Sequence, residues 1–230
     1  MPLVQTNNLN KTYRTGGRIE VHALRDVTLK IEAGSFISIM GPSGSGKSTL
    51  LNLLGCLDRP TSGELYIEGV ETSTLSSAEL TRIRREKIGF VFQSFNLIPT
   101  LTALENVMLP LRYEKRPDPR VIATESLEQV GLSDRLGFRS NELSGGEQQR
   151  VAIARALVLK PSIILADEPT GELDSVNSEA IIALLKRLNT DECQTCRTFV
   201  LVTHDPGIAA QTEKTLIMRD GVLDEVATLG

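Results

Sequence analysis

The chain has 230 residues, of which 40% are hydrophobic and 23% are charged, and its formal net charge is -4. This length and composition fit one globular domain with a sizeable core. The acidic balance argues against a nucleic-acid binder, and no apolar run approaches the roughly 18 residues that span a bilayer. The N-terminus, MPLVQTNNLNKTY, lacks the basic start and apolar stretch of a secretory signal. We therefore expect a cytoplasmic chain that reaches a membrane only through a partner.

The first part of the chain predicts an antiparallel sheet. Residues 3–31 alternate loosely between apolar and polar side chains, and Gly16 and Gly17 form a hairpin signal between the two alternating stretches. Residues 64–67 are expected to join the same sheet. This part of the chain therefore predicts two or three antiparallel strands, with a further strand added later.

Four short apolar runs predict a parallel sheet that is covered on both faces. The runs are residues 36–40, 88–92, 163–166 and 199–202, all rich in Ile, Val or Phe. They are followed by a glycine loop, Gln93, Asp167–Glu168 and His204. Ligands of open α/β sheets bind beyond the carboxyl ends of the strands. We therefore expect these residues to line one site at one edge of the sheet.

Residues 95–160 carry few strand signals and several prolines, and they predict helices. The clearest helical stretches are residues 120–130 and 147–159, and a last amphipathic helix is predicted at 177–188. We expect one domain in which a helical subdomain is inserted into an α/β core. The helical subdomain would comprise residues 94–160, and the core would comprise residues 1–93 and 161–230.

A phosphate-binding loop follows the first apolar run. It fits G-x-x-x-x-G-K-[ST] between a predicted strand and the helical stretch KSTLLNLLG, which disfavours a chance glycine turn. In such a loop, backbone N–H groups surround phosphate oxygens, Lys47 reaches the β- and γ-phosphates, and Ser48 holds Mg²⁺. The loop residues are Gly41, Pro42, Ser43, Gly44, Ser45, Gly46, Lys47, Ser48 and Thr49.

Two carboxylates end the run IILADE. Asp167 emerges from the buried stretch at a position that suits a second contact to Mg²⁺. Glu168 follows and could accept a proton from an attacking water. A strand that merely ends in carboxylates before the turn DEPTG is the alternative, and the upstream phosphate loop favours catalysis.

Gln93 and His204 are the remaining candidates at strand ends. Gln93 would position water or contact Mg²⁺, and its alternative is an exposed polar cap. His204 ends the run predicted beside the carboxylate run, where it would orient water and contact the γ-phosphate. The other histidine, His22, is interpreted as structural.

The stretch ELSGGEQQR raises a different question. Ser144 and Glu147 have the spacing of a capping box that opens a helix. Two glycines inside that box weaken a helix and expose backbone N–H groups, and with the serine and the helix dipole these suit phosphate. No lysine accompanies them. The stretch therefore predicts a segment that contacts phosphate without being its main holder.

Two further features have plain interpretations. Cys193 and Cys196 form one C-x-x-C, but a zinc site needs about four ligands and no second pair is present, so a surface loop with two thiols is favoured over zinc or redox chemistry. The basic residues between 82 and 87 are interpreted as a solvated face beside a strand, with nucleic-acid binding as the alternative.

Taken together, these residues resemble the nucleotide-binding domain of ABC transporters over essentially the whole chain. GPSGSGKST resembles the Walker A loop, IILADE resembles Walker B with the catalytic glutamate, and LSGGEQQR resembles the ABC signature. Gln93 is similar to the Q-loop glutamine and His204 to the switch histidine. Residues 171–174, which end at Asp174, resemble the D-loop, and Tyr13 stands where the family places an aromatic that stacks on adenine.

The resemblance implies a P-loop NTPase (RecA-like) core with an N-terminal antiparallel β subdomain and an inserted α-helical subdomain. It implies ATP hydrolysis with Mg²⁺ held by Ser48, Gln93 and Asp167, Glu168 as the base and His204 orienting the water. Two copies would stack head to tail around ATP. The γ-phosphate held by one copy would then meet the signature residues of the other, which are Ser144, Gly145, Gly146 and Glu147.

The resemblance also implies a transmembrane permease subunit as partner and a position on the inner face of the cell membrane. The stretches LLNLLGCLDRPTSGE, IGFVFQSFNLIPTLTALENVMLPL and RVAIARAL resemble the lipoprotein-release and macrolide-export branch, which implies export. The chain departs from the pattern at three places. Glu172 stands where Asn is common in the D-loop, and Ser140 stands where this branch often has Pro. The stretch 112–120 is shorter than is usual in the branch. The alternative is a regulatory ATPase of the FtsE type, which signals through a membrane partner without transport.

Overall fold

The computed structural model describes residues 2–15, 19–114, 117–190 and 197–226. Over these ranges the chain forms ten strands and seven α-helices. The strands are β1 (Val4–Thr15), β2 (Ile19–Ile31), β3 (Phe36–Met40), β4 (Ser62–Ile67), β5 (Val70–Glu71), β6 (Ile88–Val91), β7 (Ile163–Asp167), β8 (Thr198–Thr203), β9 (Lys214–Arg219) and β10 (Val222–Val226). The helices are α1 (Lys47–Leu54), α2 (Ser77–Lys87), α3 (Ala103–Met108), α4 (Pro119–Gln129), α5 (Gly145–Leu157), α6 (Ser175–Thr190) and α7 (Pro206–Ala209).

The smaller sheet has the order β2-β1-β4-β5, and every neighbouring pair is antiparallel. The predicted antiparallel strands and their later partner at residues 64–67 are therefore confirmed. Thr15 pairs with Ile19 across the connection. The predicted hairpin glycines, Gly16 and Gly17, lie outside the described residues.

The larger sheet has the order β10-β9-β3-β8-β7-β6. Strands β9, β3, β8, β7 and β6 are mutually parallel, and β10 is antiparallel to β9. All four apolar runs predicted as parallel strands lie in this sheet, so that prediction is confirmed. Strands β9 and β10 were not predicted, although Asp220–Gly221 between them is a hairpin dipeptide with the two positive φ angles, 49° and 81°, that a type I′ turn requires.

Both faces of the larger sheet are buried, as the continuous apolar runs predict. On one face, Phe199 and Leu201 of β8 pack with apolar residues of the helices α3, α4, α5 and α6. On the other face, Val200 and Val202 pack with residues of α1 and of the smaller sheet. The larger sheet therefore lies between the helices and the smaller sheet. The carboxyl ends of its parallel strands are where the candidate site is expected.

The described residues between β6 and β7 contain the helices α3, α4 and α5, which are joined by loops and short 3₁₀ turns. Helix α4 agrees with the prediction within one residue at each end, and α5 begins two residues earlier than predicted, at Gly145. Helix α2, which was not predicted, carries the basic run, and its Arg82 is exposed to solvent. In the described ranges, no helix has both the length and the apolar character needed to cross a membrane.

Candidate active site

The phosphate-binding loop leaves the end of β3 and opens α1, the strand–loop–helix context that its motif requires. Gly46 precedes the helix with φ 106°, and a Cβ there would collide with the carbonyl oxygen of Ala23. Only glycine fits this position, because L side chains rarely adopt such a φ and because β2 approaches the loop closely. The hairpin between β9 and β10 supports the loop from another side, since the N–H of Gly221 donates to the carbonyl of Ser45 at 2.9 Å.

Lys47 is folded back onto its own loop. Its side chain is largely buried, and its Nζ donates to the carbonyl oxygens of Gly41 at 2.8 Å and Pro42 at 2.9 Å. Within the described ranges no carboxylate lies within ion-pair distance of this ammonium group. The Ser45 hydroxyl is buried and also has no hydrogen-bond partner there. A cation without a carboxylate beside free backbone N–H groups suits a phosphate.

The ends of three parallel strands deliver their polar residues to this loop. A cleft of about 780 Å³ is lined by Lys47 and Ser48 of the loop and by residues that end or follow β6, β7 and β8. Those residues are Gln93, Asp167, Glu168 and His204. The strands are parallel neighbours in the order β8-β7-β6, which explains why side chains far apart in the chain meet here.

Asp167 and Ser48 form the part of the cleft that fits a divalent cation. The Ser48 hydroxyl lies 3.5 Å from Asp167 Oδ1. Burial raises the pKa of the Asp167 carboxyl, and the nearby Glu168 adds to the rise, while Ser48 and Lys47 oppose it. Hydroxyl and carboxylate oxygens are ligands that Mg²⁺ prefers, and Mg²⁺ usually combines one or two of them with waters and substrate phosphates. The described residues hold no cluster of three or more His, Cys, Asp or Glu side chains that would form an all-protein cage.

Glu168 points away from Asp167 and towards His204. Its φ is 47°, its N–H donates to the carbonyl of Val202 at 3.0 Å, and its Oε1 lies 2.9 Å from His204 Nδ1. The glutamate is mostly buried, whereas the histidine side chain is 73% exposed. A second cavity of about 420 Å³ also has this pair in its lining, together with residues of the segment that follows β7. The pair therefore faces both the phosphate loop and the D-loop side of the molecule.

Gln93 lies two residues beyond the end of β6 and lines the cleft. A Cβ on Gly171 would meet the Gln93 amide nitrogen at 2.9 Å, so the glutamine packs on the segment that resembles the D-loop. The next residue, Ser94, donates its hydroxyl to Glu172 Oε1 at 3.0 Å. Glu172, the position that departs from the family pattern, thus ties the two loops together.

Arg155 of α5 binds the backbone of the loop that follows Gln93. Its role was not predicted from the sequence. Its guanidinium donates to the carbonyls of Phe95 at 2.8 Å and Asn96 at 2.5 Å. Both of those residues have positive φ angles, 54° and 50°. Burial lowers the pKa of the arginine. The sequence offers no local signal for this contact, because it joins residues about 60 positions apart on different elements.

Tyr13 of β1 and His22 of β2 make side-chain contacts on the smaller sheet. Tyr13 is absent from the cleft lining; its hydroxyl donates to Asp58 Oδ2 at 3.0 Å, and Lys11 Nζ lies 4.8 Å from the centre of its ring. Partial burial and the Asp58 carboxylate raise the pKa of the Tyr13 phenol. His22, which was interpreted as structural, lines the cleft and contacts the Thr12 hydroxyl through Nδ1 at 3.0 Å.

The ELSGGEQQR stretch forms the predicted capping box. Ser144 precedes α5; its N–H and its hydroxyl both donate to Glu147 Oε2 at 2.9 Å, and the Glu147 N–H donates back to the hydroxyl at 3.3 Å. Ser144 is exposed, whereas the two glycines that follow it are covered to different degrees. Gly146 is buried because Asn177 Oδ1 would lie 2.5 Å from a Cβ there, and Gly145 is half-buried.

The signature-like stretch and the phosphate loop lie in separate cavities. Ser144, Gly146 and Glu147 line a polar cavity of about 470 Å³ that shares no residue with the phosphate-loop cleft. Asp174, in the D-loop-like segment, accepts hydrogen bonds from the backbone and side chain of Asn177, each at 2.8 Å. These bonds lower the pKa of Asp174, and Asn177 in turn covers Gly146. The phosphate loop and the signature-like stretch of one chain therefore do not form one pocket.

Comparison with known families and proteins agrees with this geometry. Residues 24–171 match the family model described as ABC transporter. An uncharacterised ABC transporter ATP-binding protein of Methanocaldococcus jannaschii, MJ0796, is 52% identical over 228 residues, which are 96% of this chain and 95% of that protein. The macrolide export ATP-binding/permease protein MacB of Syntrophobacter fumaroxidans is 46% identical over 97% of this chain, which spans 31% of that longer protein.

Solved structures show the same architecture. A dimeric structure of MJ0796 in a post-hydrolysis state, bound to ADP and Pi, superposes with a TM-score of 0.88 at 50% identity and covers 99% of both chains. A second dimeric structure of the same cassette gives a TM-score of 0.87. The predicted fold class, a P-loop NTPase core with an antiparallel β part and a helical part, is confirmed by these matches.

Proposed function

Because this chain belongs to the ABC transporter family, we propose that it is the ATP-binding and ATP-hydrolysing subunit of a transporter. Its ATP cycle would close and open a dimer and so drive a membrane partner. The observation that carries the proposal is the convergence of Lys47, Ser48, Asp167, Glu168 and His204 on one cleft. Each of these side chains has the chemistry and the position that phosphoryl transfer to water requires.

The phosphate loop binds the phosphates of ATP, and residues of the loop and of the strand ends bind Mg²⁺. The N–H groups of the loop, Lys47 included, hold the phosphates of ATP, and Ser48, Asp167 and Gln93 supply oxygen ligands for Mg²⁺. Mg²⁺ supplies charge neutralisation on the β- and γ-phosphate oxygens when it is bound. Burial disfavours the charged form of Asp167, and a bound cation would offset this cost because a nearby positive charge favours the carboxylate.

Glu168 and His204 act on the attacking water. Glu168 accepts the proton, and general-base assistance of this kind contributes about 10²- to 10⁴-fold in rate. His204 orients the carboxylate through the 2.9 Å contact and, from its exposed position, reaches towards the γ-phosphate. The contact holds Glu168 in one orientation beside the phosphate loop, as catalysis by a preorganised group requires.

The complete site contains two copies of the chain. Ser144, Gly145, Gly146 and Glu147 of one copy approach the γ-phosphate held by the other, with Asp174 beside them, and Tyr13 stacks on adenine. This arrangement is supported by the separation of the two phosphate-binding segments within one chain and by the dimeric state of the related cassette structures.

A transmembrane permease is the partner, and the cassette works at the inner face of the cell membrane. We divide the chain into a core of residues 1–93 and 161–230 and a helical subdomain of residues 94–160. An apolar groove of about 700 Å³ between them, lined by Leu57, Phe92 and Tyr113 among others, would accept a short helix of the permease. Tyr113 is 81% exposed, which favours an apolar occupant. The groove includes Asn96, within the segment 93–101 that we expect to sense the partner.

Export is the favoured output. Several relatives are named macrolide export ATP-binding/permease proteins, and they contain a cassette 46–50% identical to this chain. A regulatory ATPase that signals without transport would use the same site residues, so this alternative is separated by assay. Substrate movement across a membrane by the chain reconstituted with its co-purifying permease supports transport. ATP turnover without movement of any substrate supports signalling.

The proposed activity is tested by Lys47→Ala. We expect the variant to lose Mg²⁺-dependent ATP hydrolysis by about 10²-fold or more, because the phosphates lose their only loop cation. Phosphate release and nucleotide binding by calorimetry are the measurements. Lys30→Ala, on the exposed surface of β2, is the matched control and should keep the parental rate. Equal turnover by both variants would contradict the proposal.

A further inference from the structure

The box that opens the signature-like helix α5 carries an arginine. Arg135 Nε donates to Glu147 Oε1 at 2.9 Å, while the other carboxylate oxygen accepts the hydrogen bonds of Ser144. The arginine also lies over the ring of Phe138, with 5.1 Å between its Cζ and the ring centre. The three residues Arg135, Glu147 and Ser144 thus form one chain of contacts inside the 470 Å³ polar cavity.

Two other capping boxes in the protein show that a box does not need this arginine. Ser76 donates its N–H to Glu79 at 2.8 Å and accepts the return bond at 3.3 Å, and Thr102 and Glu105 match these distances at 2.8 Å and 3.2 Å. Among the described residues, neither Glu79 nor Glu105 has an ion pair within 4.0 Å. Since the geometry forms equally well without an ion pair in contact with the glutamate, the cap alone does not require Arg135.

The role of Arg135 follows from the negative charge that lies next to Ser144. Its exposed hydroxyl donates directly to the Glu147 carboxylate, so any anion that approaches Ser144 also approaches a negative charge. An unpaired carboxylate there would repel a triphosphate and would compete for the same hydroxyl proton. The neighbouring cation of the cavity, Arg150, is directed elsewhere, since its guanidinium donates to the carbonyl of Val130 at 3.1 Å.

We propose that Arg135 is a positioning residue that cancels the charge of Glu147, so that Ser144 and the start of α5 can receive the γ-phosphate held by the other copy. The inference rests on the proposed ATP-sandwich function. The residue that would neutralise Glu147 thus lies outside the signature-like stretch, nine positions before Ser144 in the chain. Arg135 touches no nucleotide in this account and acts through Glu147.

The test uses the hydrolysis-deficient Glu168→Gln chain, in which ATP should hold the dimer together. Adding Arg135→Gln should raise the ATP concentration for half-maximal dimerisation roughly tenfold, because an unpaired carboxylate then opposes the incoming phosphate. Adding Glu147→Gln to that variant should restore dimerisation, since Gln also forms the capping box but has no charge. Sedimentation velocity with ATP and Mg²⁺ measures both.

If the contact between Arg135 and Glu147 were only structural, the variant with both Arg135→Gln and Glu147→Gln should still dimerise poorly, because the contact would still be missing. That result, or unchanged dimerisation of the Arg135→Gln variant, overturns the inference. Arg82→Gln, an exposed arginine beside the Glu79 box, is the matched control and should dimerise like the parent. Nucleotide affinity of the monomers should stay equal across the series. If the Glu168→Gln parent itself fails to dimerise, the proposed function fails instead.

Discussion

Asp167 and Glu168 are neighbours in the chain but meet different partners. Asp167 ends β7 in its extended conformation and faces Ser48, whereas Glu168 turns to a φ of 47° and meets His204. The turn is stabilised by the bond from the Glu168 N–H to Val202 on the adjacent strand. The order of the two carboxylates and the presence of a histidine were predictable from the sequence. The turn between them was not, because a contact with another strand sets it.

Replacement of His204 by Ala tests whether the contact between His204 and Glu168 is used in catalysis. We expect kcat for ATP hydrolysis to fall by about 10²-fold or more, because Glu168 and the water lose their orienting partner. The affinity of the monomer for ADP should remain close to the parental value, since we propose that His204 acts at the γ-phosphate, which ADP lacks. Steady-state hydrolysis and calorimetric ADP binding are the two measurements. A kcat within twofold of the parent would show that the 2.9 Å contact is not used in catalysis.

At the scale of elements, the parallel sheet was predicted and the packing on it was not. The four apolar runs correspond to β3, β6, β7 and β8, because a strand buried on both faces leaves a continuous apolar signal. Strands β9 and β10 were missed although Asp220–Gly221 marked their turn, and this hairpin supports the phosphate loop through Gly221. The close approach of β6 to α5 has no local signal, because it joins residues that are far apart in the chain.

Gly89 marks that close approach and gives a stability prediction. A Cβ at this position would lie 2.5 Å from the carbonyl oxygen of Ala156 and 2.7 Å from Ile164 Cδ1. Gly89→Ala should therefore lower the free energy of unfolding by about 1–3 kcal/mol through overpacking. Gly137→Ala, where an added Cβ meets nothing within 4 Å, should change it by less than about 0.5 kcal/mol. Urea unfolding compares the two, and equal midpoints would contradict the packing described here.

At the scale of the whole molecule, the phosphate loop and the signature-like stretch belong to different cavities of one chain. From the missing lysine, the sequence predicted that the glycine-rich stretch is not the main phosphate holder, and the resemblance to ABC transporters implied that it is half of a shared site. The structure adds how the second half is built, with Asn177 covering Gly146 and Arg135 paired with Glu147. Those contacts come from loops remote in sequence, so residue patterns alone could not supply them.

The central claim is that ATP joins two copies of this chain across these segments. The most direct measurement is the oligomeric state of the Glu168→Gln chain by sedimentation velocity, with and without ATP and Mg²⁺. We expect a monomer without nucleotide and a stable dimer with ATP, because the γ-phosphate would be retained between the phosphate loop of one copy and Ser144 of the other. A chain that binds ATP with Mg²⁺ at saturation and remains monomeric would contradict it.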